Sequence, residues 1–106
     1  MPKYLIKAKY TQEGIAGVKR AGGSSRREAV VKSAESVGGK LESFYFAFGD
    51  TDAYVVCDLP DNAAAAGLAM TVGASGGAHV TTVPLLTVEE VDSAAKVTVD
   101  YRKPGD

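Results

Sequence analysis

The stretch Leu41–Leu59 constrains the fold more than any other part of the chain. Two runs rich in aromatic and β-branched residues, Phe44-Tyr-Phe-Ala-Phe48 and Ala53-Tyr-Val-Val-Cys57, flank Gly49-Asp-Thr-Asp52. Such runs suit a pleated surface, and the small and acidic residues between them favour a turn, so the pattern predicts a β-hairpin. If the loop holds an even number of residues, cross-strand partners sum to an odd number. Phe44, Phe46 and Phe48 then share a face with Ala53, Val55 and Cys57. Leu41, Ser43, Tyr45 and Ala47 share the other with Asp52, Tyr54, Val56 and Asp58. An odd loop would set the phenylalanines against tyrosine and aspartate, so burial favours the even one.

Around this hairpin the chain alternates between strand and helix patterns. Tyr4, Ile6, Ala8 and Tyr10 alternate with Leu5, Lys7 and Lys9, which predicts a strand over 3–10. Thr11 is placed to cap a helix through Arg20, and Gly22-Gly23 is placed to stop it. Ser25-Arg-Arg-Glu28 has capping-box spacing and predicts the start of a second helix, whose packing face is Val30, Ala34 and Val37. After the hairpin, Asn62–Val72 predicts an alanine-rich helix with a stripe of Ala65, Leu68, Ala69 and Val72. Ala78–Leu86 predicts a strand that Pro84 confines to an edge or an end. Thr87-Val-Glu-Glu90 is a second capping box, opening a short helix over 88–95 ahead of a tail. The order is βαββαβ plus an appendage, an α+β ferredoxin-like sandwich with helices on one face of the sheet. The uncovered face would show Tyr45, Ala47, Tyr54 and Val56. That surface is apolar enough to predict a partner, most simply a second copy stacked sheet to sheet about a two-fold axis.

At 106 residues the chain is expected to form one domain, 1–106, with an ordinary core. A formal net charge of −1 gives no overall field that would select nucleic acid or an anionic membrane. The apolar runs are too short to span a bilayer as a helix. Met1–Tyr10 alternates rather than forming the apolar block of a signal peptide, and Cys57 is the only thiol. Together these predict a cytoplasmic protein.

Gly39-Lys-Leu-Glu-Ser-Phe-Tyr-Phe-Ala-Phe-Gly-Asp-Thr-Asp52, with Met1-Pro-Lys-Tyr-Leu5 and Tyr101-Arg-Lys-Pro-Gly105, resembles the GYD-domain family of small bacterial proteins. The resemblance covers nearly the whole chain. It implies a ferredoxin-like fold of the dimeric α/β-barrel type, in a family without a settled biochemical function. The family's signature reads Gly, a variable residue, Tyr, Asp. Here Gly49 and Asp52 fill the outer positions and Thr51 stands where the tyrosine would be.

The chemical inventory is thin, and no cofactor is expected. His79 is the only histidine and Cys57 the only cysteine, so no metal site of the usual multi-His or multi-Cys kind is expected. His79 could serve as a general base oriented by Asp52 or Asp50, since imidazole titrates near neutrality. The plainer alternative is a strand histidine at an interface and two turn aspartates bonded to backbone. Gly22-Gly-Ser-Ser-Arg-Arg27 is the most suggestive stretch, because a glycine turn feeding a helix start presents amides to an anion. Ser24, Ser25, Arg26 and Arg27 are therefore candidate anion ligands, the alternative being a capped helix start with solvated arginines. Two classes of function follow. One is a homo-oligomeric small-molecule-binding or interaction module with a cleft between helices and sheet. The other is a small isomerase- or lyase-like enzyme that moves protons with His79 and an acidic partner.

Overall fold

A computed structural model describes all 106 residues. The elements are β1 (Lys3–Tyr10), α1 (Gln12–Ala21), α2 (Gly23–Ser36), β2 (Lys40–Phe46), β3 (Ala53–Asp58), α3 (Asn62–Ala74), β4 (Ala78–Leu85) and α4 (Val88–Ala95). The strands form one antiparallel sheet in the order β2-β3-β1-β4. This is the ferredoxin-like arrangement, with α1 and α2 together making the first crossover, α3 the second, and α4 added after the last strand. No helix is long and apolar enough to cross a membrane.

The alternation of β1 sorts its residues as the sequence suggested. Tyr4 pairs with Cys57, Ile6 with Val55 and Ala8 with Ala53, and these side chains face the helices. Ala34 of α2 and Ala65 of α3 are the buried contact points of their helices; with no side chain beyond Cβ, they let each helix sit close to the sheet. Leu59, just past β3, is fully buried and is the largest such side chain. Truncating a side chain in that setting costs about 2–5 kcal/mol through lost transfer energy and the cavity left behind. One contact between layers is polar: the Tyr4 hydroxyl donates to Asn62 Oδ1 of α3 at 2.6 Å.

The hairpin keeps the expected register near its turn, where Phe44 pairs with Val55, Tyr45 with Tyr54 and Phe46 with Ala53. Three details differ from the sequence reading. A bulge between Leu41 and Ser43 shifts the register, so Leu41 pairs with Cys57 and packs on the core rather than on the open face. An extra residue in one strand reverses side-chain parity beyond it, and here that brings a leucine inward. The strand ends at Phe46, so Phe48 lies in the connection and is fully exposed instead of sharing the core face. Finally, α2 begins at Gly23 with no side-chain cap, so Ser25 is a residue of the first helical turn and not its cap. Gly22 makes the corner with φ +89°, a left-handed conformation that glycine adopts without Cβ strain, and one residue suffices to break α1 from α2. The second capping box is present in full: Glu90 N donates to Thr87 Oγ1 at 3.0 Å and Thr87 N to Glu90 Oε1 at 2.9 Å.

The opposite face of the sheet carries no helix. It presents Lys3, Leu5, Lys7 and Lys9 of β1, flanked by Tyr54 and Val56 of β3 and by Thr81 and Val83 of β4. Tyr45 and Tyr54 are both exposed there. Val56 is half-buried, and Ala47 lies one residue beyond the end of β2, where its amide donates to Asp52 O at 2.7 Å.

Candidate ligand cleft

The cleft begins at the end of β1. Thr11 caps α1 by accepting from the Gly14 amide at 3.1 Å, and its own hydroxyl donates to Gly76 O at 2.8 Å. The Thr11 amide also donates to Gly77 O at 3.1 Å. These bonds hold the start of α1 against the turn between α3 and β4. Gly14 completes the contact, since a Cβ there would collide with the Gly77 carbonyl. With α1 fixed at one end and turned at Gly22, the first turns of α2 hang over the edge of the core.

Helical phase then selects which residues look inward. Gly22, Ser25, Arg26 and Ala29 recur at the spacing of one helix face and line a cavity of about 350 Å³. Its other walls include Glu13, Gly17 and Arg20 of α1, Tyr10 of β1, and Val72 and Gly77 from the α3 side. A second, smaller space of about 60 Å³ lies between helices and sheet, lined largely by apolar residues among them Ile6, Val30, Phe44 and Leu68. The two share Tyr10, Arg26, Val72 and Ala78, so a polar mouth leads to an apolar floor.

Of the charges at the mouth, Glu13, Arg20 and Arg26, the two arginines make no ion pair. The chain's ion pairs are Lys3–Glu42, Lys3–Asp58 and Lys9–Asp52, and none involves Arg20 or Arg26. Arg26 Nε is buried without a hydrogen-bond partner, and so is Thr82 Oγ1 on the floor. A buried donor without an acceptor is costly, and one belonging to a cation more so. Arg26 also lies in the first turns of α2, where the helix dipole opposes a positive charge. Burial pushes the Tyr10 phenol above its ordinary pKa, while neighbouring Arg26 draws it down in part. Tyr10 therefore stays protonated at neutral pH and can donate. Cys57, on the floor, is pushed up to about 11 by burial and then by Asp58, so it remains an unreactive thiol. The arrangement supplies donors for an anion and apolar surface behind them, with no activated nucleophile.

The sequence candidates separate in space. Ser25 and Arg26 line the mouth, whereas Ser24 and Arg27 fall outside the lining and are exposed. His79 lies exposed on the uncovered sheet face, across from Lys9 in the register. Asp52 accepts from Lys9 Nζ at 3.3 Å and from the Tyr10 amide at 2.9 Å, and the structure makes no hydrogen bond between it and His79. Asp50 is exposed at the hairpin tip. No group of three His, Cys, Asp or Glu side chains could hold a metal ion. Of the signature positions, Gly49 O accepts from Lys9 Nζ at 3.1 Å, so glycine and aspartate grip the same lysine and fix the tip to β1. Tyr10 was not singled out from the sequence. Its parity with Tyr4, Ile6 and Ala8 was the available signal, since that places it inside at the strand's end.

The family model of the GYD domain matches residues 4–95 of the chain. No curated protein and no solved structure matches it.

Proposed function

The chain belongs to the GYD-domain family, and from that premise we propose that it is a homo-oligomeric module binding a small organic anion in the cleft beneath α1 and α2. The observation that carries this reading is Arg26, whose Nε is buried and unpartnered where the polar mouth meets the apolar floor. A carboxylate or phosphate ester would satisfy that donor, accept from Tyr10, and offset the charge set against the α2 dipole. The 350 Å³ of the mouth is at the lower end of ordinary small-molecule sites, which suits a compact ligand with its apolar part directed at Val72 and Leu68. Binding without turnover fits an inert Cys57 and a His79 on the opposite face of the sheet.

The oligomer is a dimer paired through the bare sheet face, with Tyr45, Tyr54 and Val56 in the contact. Native mass spectrometry of gently purified protein tests both halves of the reading, expecting a dimer that carries a retained anion. A ligand-free monomer would contradict both. Tyr54→Glu buries an unpaired charge in this arrangement and is expected to give monomeric or insoluble protein. Sedimentation of a soluble, unchanged dimer from that variant would overturn the sheet-to-sheet contact.

A further inference from the structure

Every residue from Leu86 to Asp106 is exposed. The radius of gyration of the chain with this arm is 16.8 Å, against about 13 Å for a compact chain of this length. Yet the arm is not written as a solvated tail. A complete capping box starts α4, which specifies the helix closely. Val88, Val91 and Ala95 recur at i, i+3 and i+7 and form an apolar stripe, with Leu86 just ahead of it. Val88 is 75 % and Val91 51 % exposed, so the stripe is not buried by its own chain. A helix of 8 residues is too short to persist by propensity alone and needs a surface to dock on.

We propose that α4 is an exchanged arm, laid across the uncovered sheet face of a second copy. This rests on the dimer reading above in that a second copy covers the bare face. It makes α4, in place of direct sheet contact, the element lying on Val56, so that the two sheets face each other across the exchanged helices. The same chain offers both halves of the contact. Lys7 sits in the middle of the sheet face, between Tyr54 and Thr81, and is the one lysine of β1 without a carboxylate partner. Asp92 borders the α4 stripe next to Val88, with Glu89 beyond it, and both carboxylates are likewise free of ion pairs. Docking α4 on Leu5, Val56 and Val83 would bury the stripe and bring those carboxylates to Lys7. The lengths agree: eight residues of helix span about 12 Å, and four strands about 14 Å. Only Leu86 and Thr87 separate α4 from β4, and the capping box fixes the turn between them, so the helix leaves its own sheet bare. A two-fold axis makes the exchange reciprocal and satisfies both faces at once.

The test uses a nitroxide attached to Ser93→Cys, on the side of α4 away from the stripe; the buried Cys57 stays unlabelled. Labelled protein is mixed with ¹⁵N wild-type chain under conditions of subunit exchange. Broadening of the ¹⁵N partner's amides at Leu5–Lys9 and Thr81–Val83 is the expected result. A Val88→Asp/Val91→Asp variant should then weaken the dimer at least tenfold. A second sample, with ¹⁵N in the nitroxide chain and an unlabelled partner, reads the chain's own sheet: broadening there with none in the first sample would show the arm folded back and overturn the exchange. A dimer by sedimentation with no broadening at either sheet would overturn it too, while leaving sheet pairing intact. A monomer by sedimentation would remove the dimer reading itself.

Discussion

The Asp52 carboxylate accepts the backbone amide of Tyr10 at 2.9 Å, joining the hairpin tip to the last residue of β1. One oxygen serves that amide, the other serves Lys9, and the Asp52 amide donates to Ala8 O at 2.8 Å. The aspartate of the family signature thus holds the residue whose phenol lines the cleft. The signature at this position is a structural clamp, and the side chain between the two clamping residues, here Thr51, is not part of the grip.

Asp52→Asn should therefore loosen both the tip and the cleft. A charge-assisted bond of this kind contributes about 1.5–3 kcal/mol. Urea unfolding should show a loss in that range, and the Tyr10 ring resonances should broaden or shift. Unchanged stability together with an unchanged Tyr10 environment would remove the clamp.

Gly14→Ala should open the cleft wall. Its Cβ would meet the Gly77 carbonyl, which is backbone and has little room to give. Overpacking of this kind costs about 1–3 kcal/mol, and α1 can relieve it only by moving off the α3–β4 turn. Loss of hydrogen-exchange protection at the Thr11 amide, which donates to Gly77 O, is the expected signature. Protection equal to wild type would contradict the close approach.

Asp58 and Cys57 contribute at opposite ends of the pH profile. A hydrogen bond from Lys3 holds Asp58 below the usual carboxylate range, against the opposing effect of burial. Because the folded pKa is the lower one, its contribution is present above the unfolded value of about 3.9 and is lost as pH falls through the folded value. Cys57 works in the other direction. Its folded pKa is raised from 9.0 to about 11, so its contribution is present below 9.0 and is lost as pH rises toward 11. Thermal scans should show Asp58→Asn flattening the acid limb and Cys57→Ala flattening the alkaline one. An acid limb unaltered in Asp58→Asn would remove that assignment.

The strands, the hairpin register near its turn and the capped α4 were legible because each is written locally, in alternation, parity or a Thr-x-x-Glu spacing. The bulge at Leu41/Ser43 was not. It follows from what Leu41 gains by reaching the core beside Cys57, a long-range reward with no local mark. The start of α2 was misplaced because Ser25-x-x-Glu28 offers a valid cap in isolation, and the Gly22 corner makes it unnecessary. That shift matters for the cleft. Choosing Arg26 over Arg27 requires the phase of α2 relative to β1, which depends on how α1 docks at Gly77. The pairing of Arg26 with Tyr10 spans the whole α1 segment, and only that docking brings the two together.

The central claim is that Arg26 anchors an anion whose apolar part lies in the cleft. Isothermal titration of octanoate at constant ionic strength, into wild type and Arg26→Gln, tests it most directly. The account predicts saturable binding of one octanoate per chain to wild type. Affinity should fall at least tenfold in Arg26→Gln, about 1.4 kcal/mol, with octanol binding wild type correspondingly more weakly than octanoate. Equal octanoate affinity for wild type and Arg26→Gln, with both proteins folded, would contradict it.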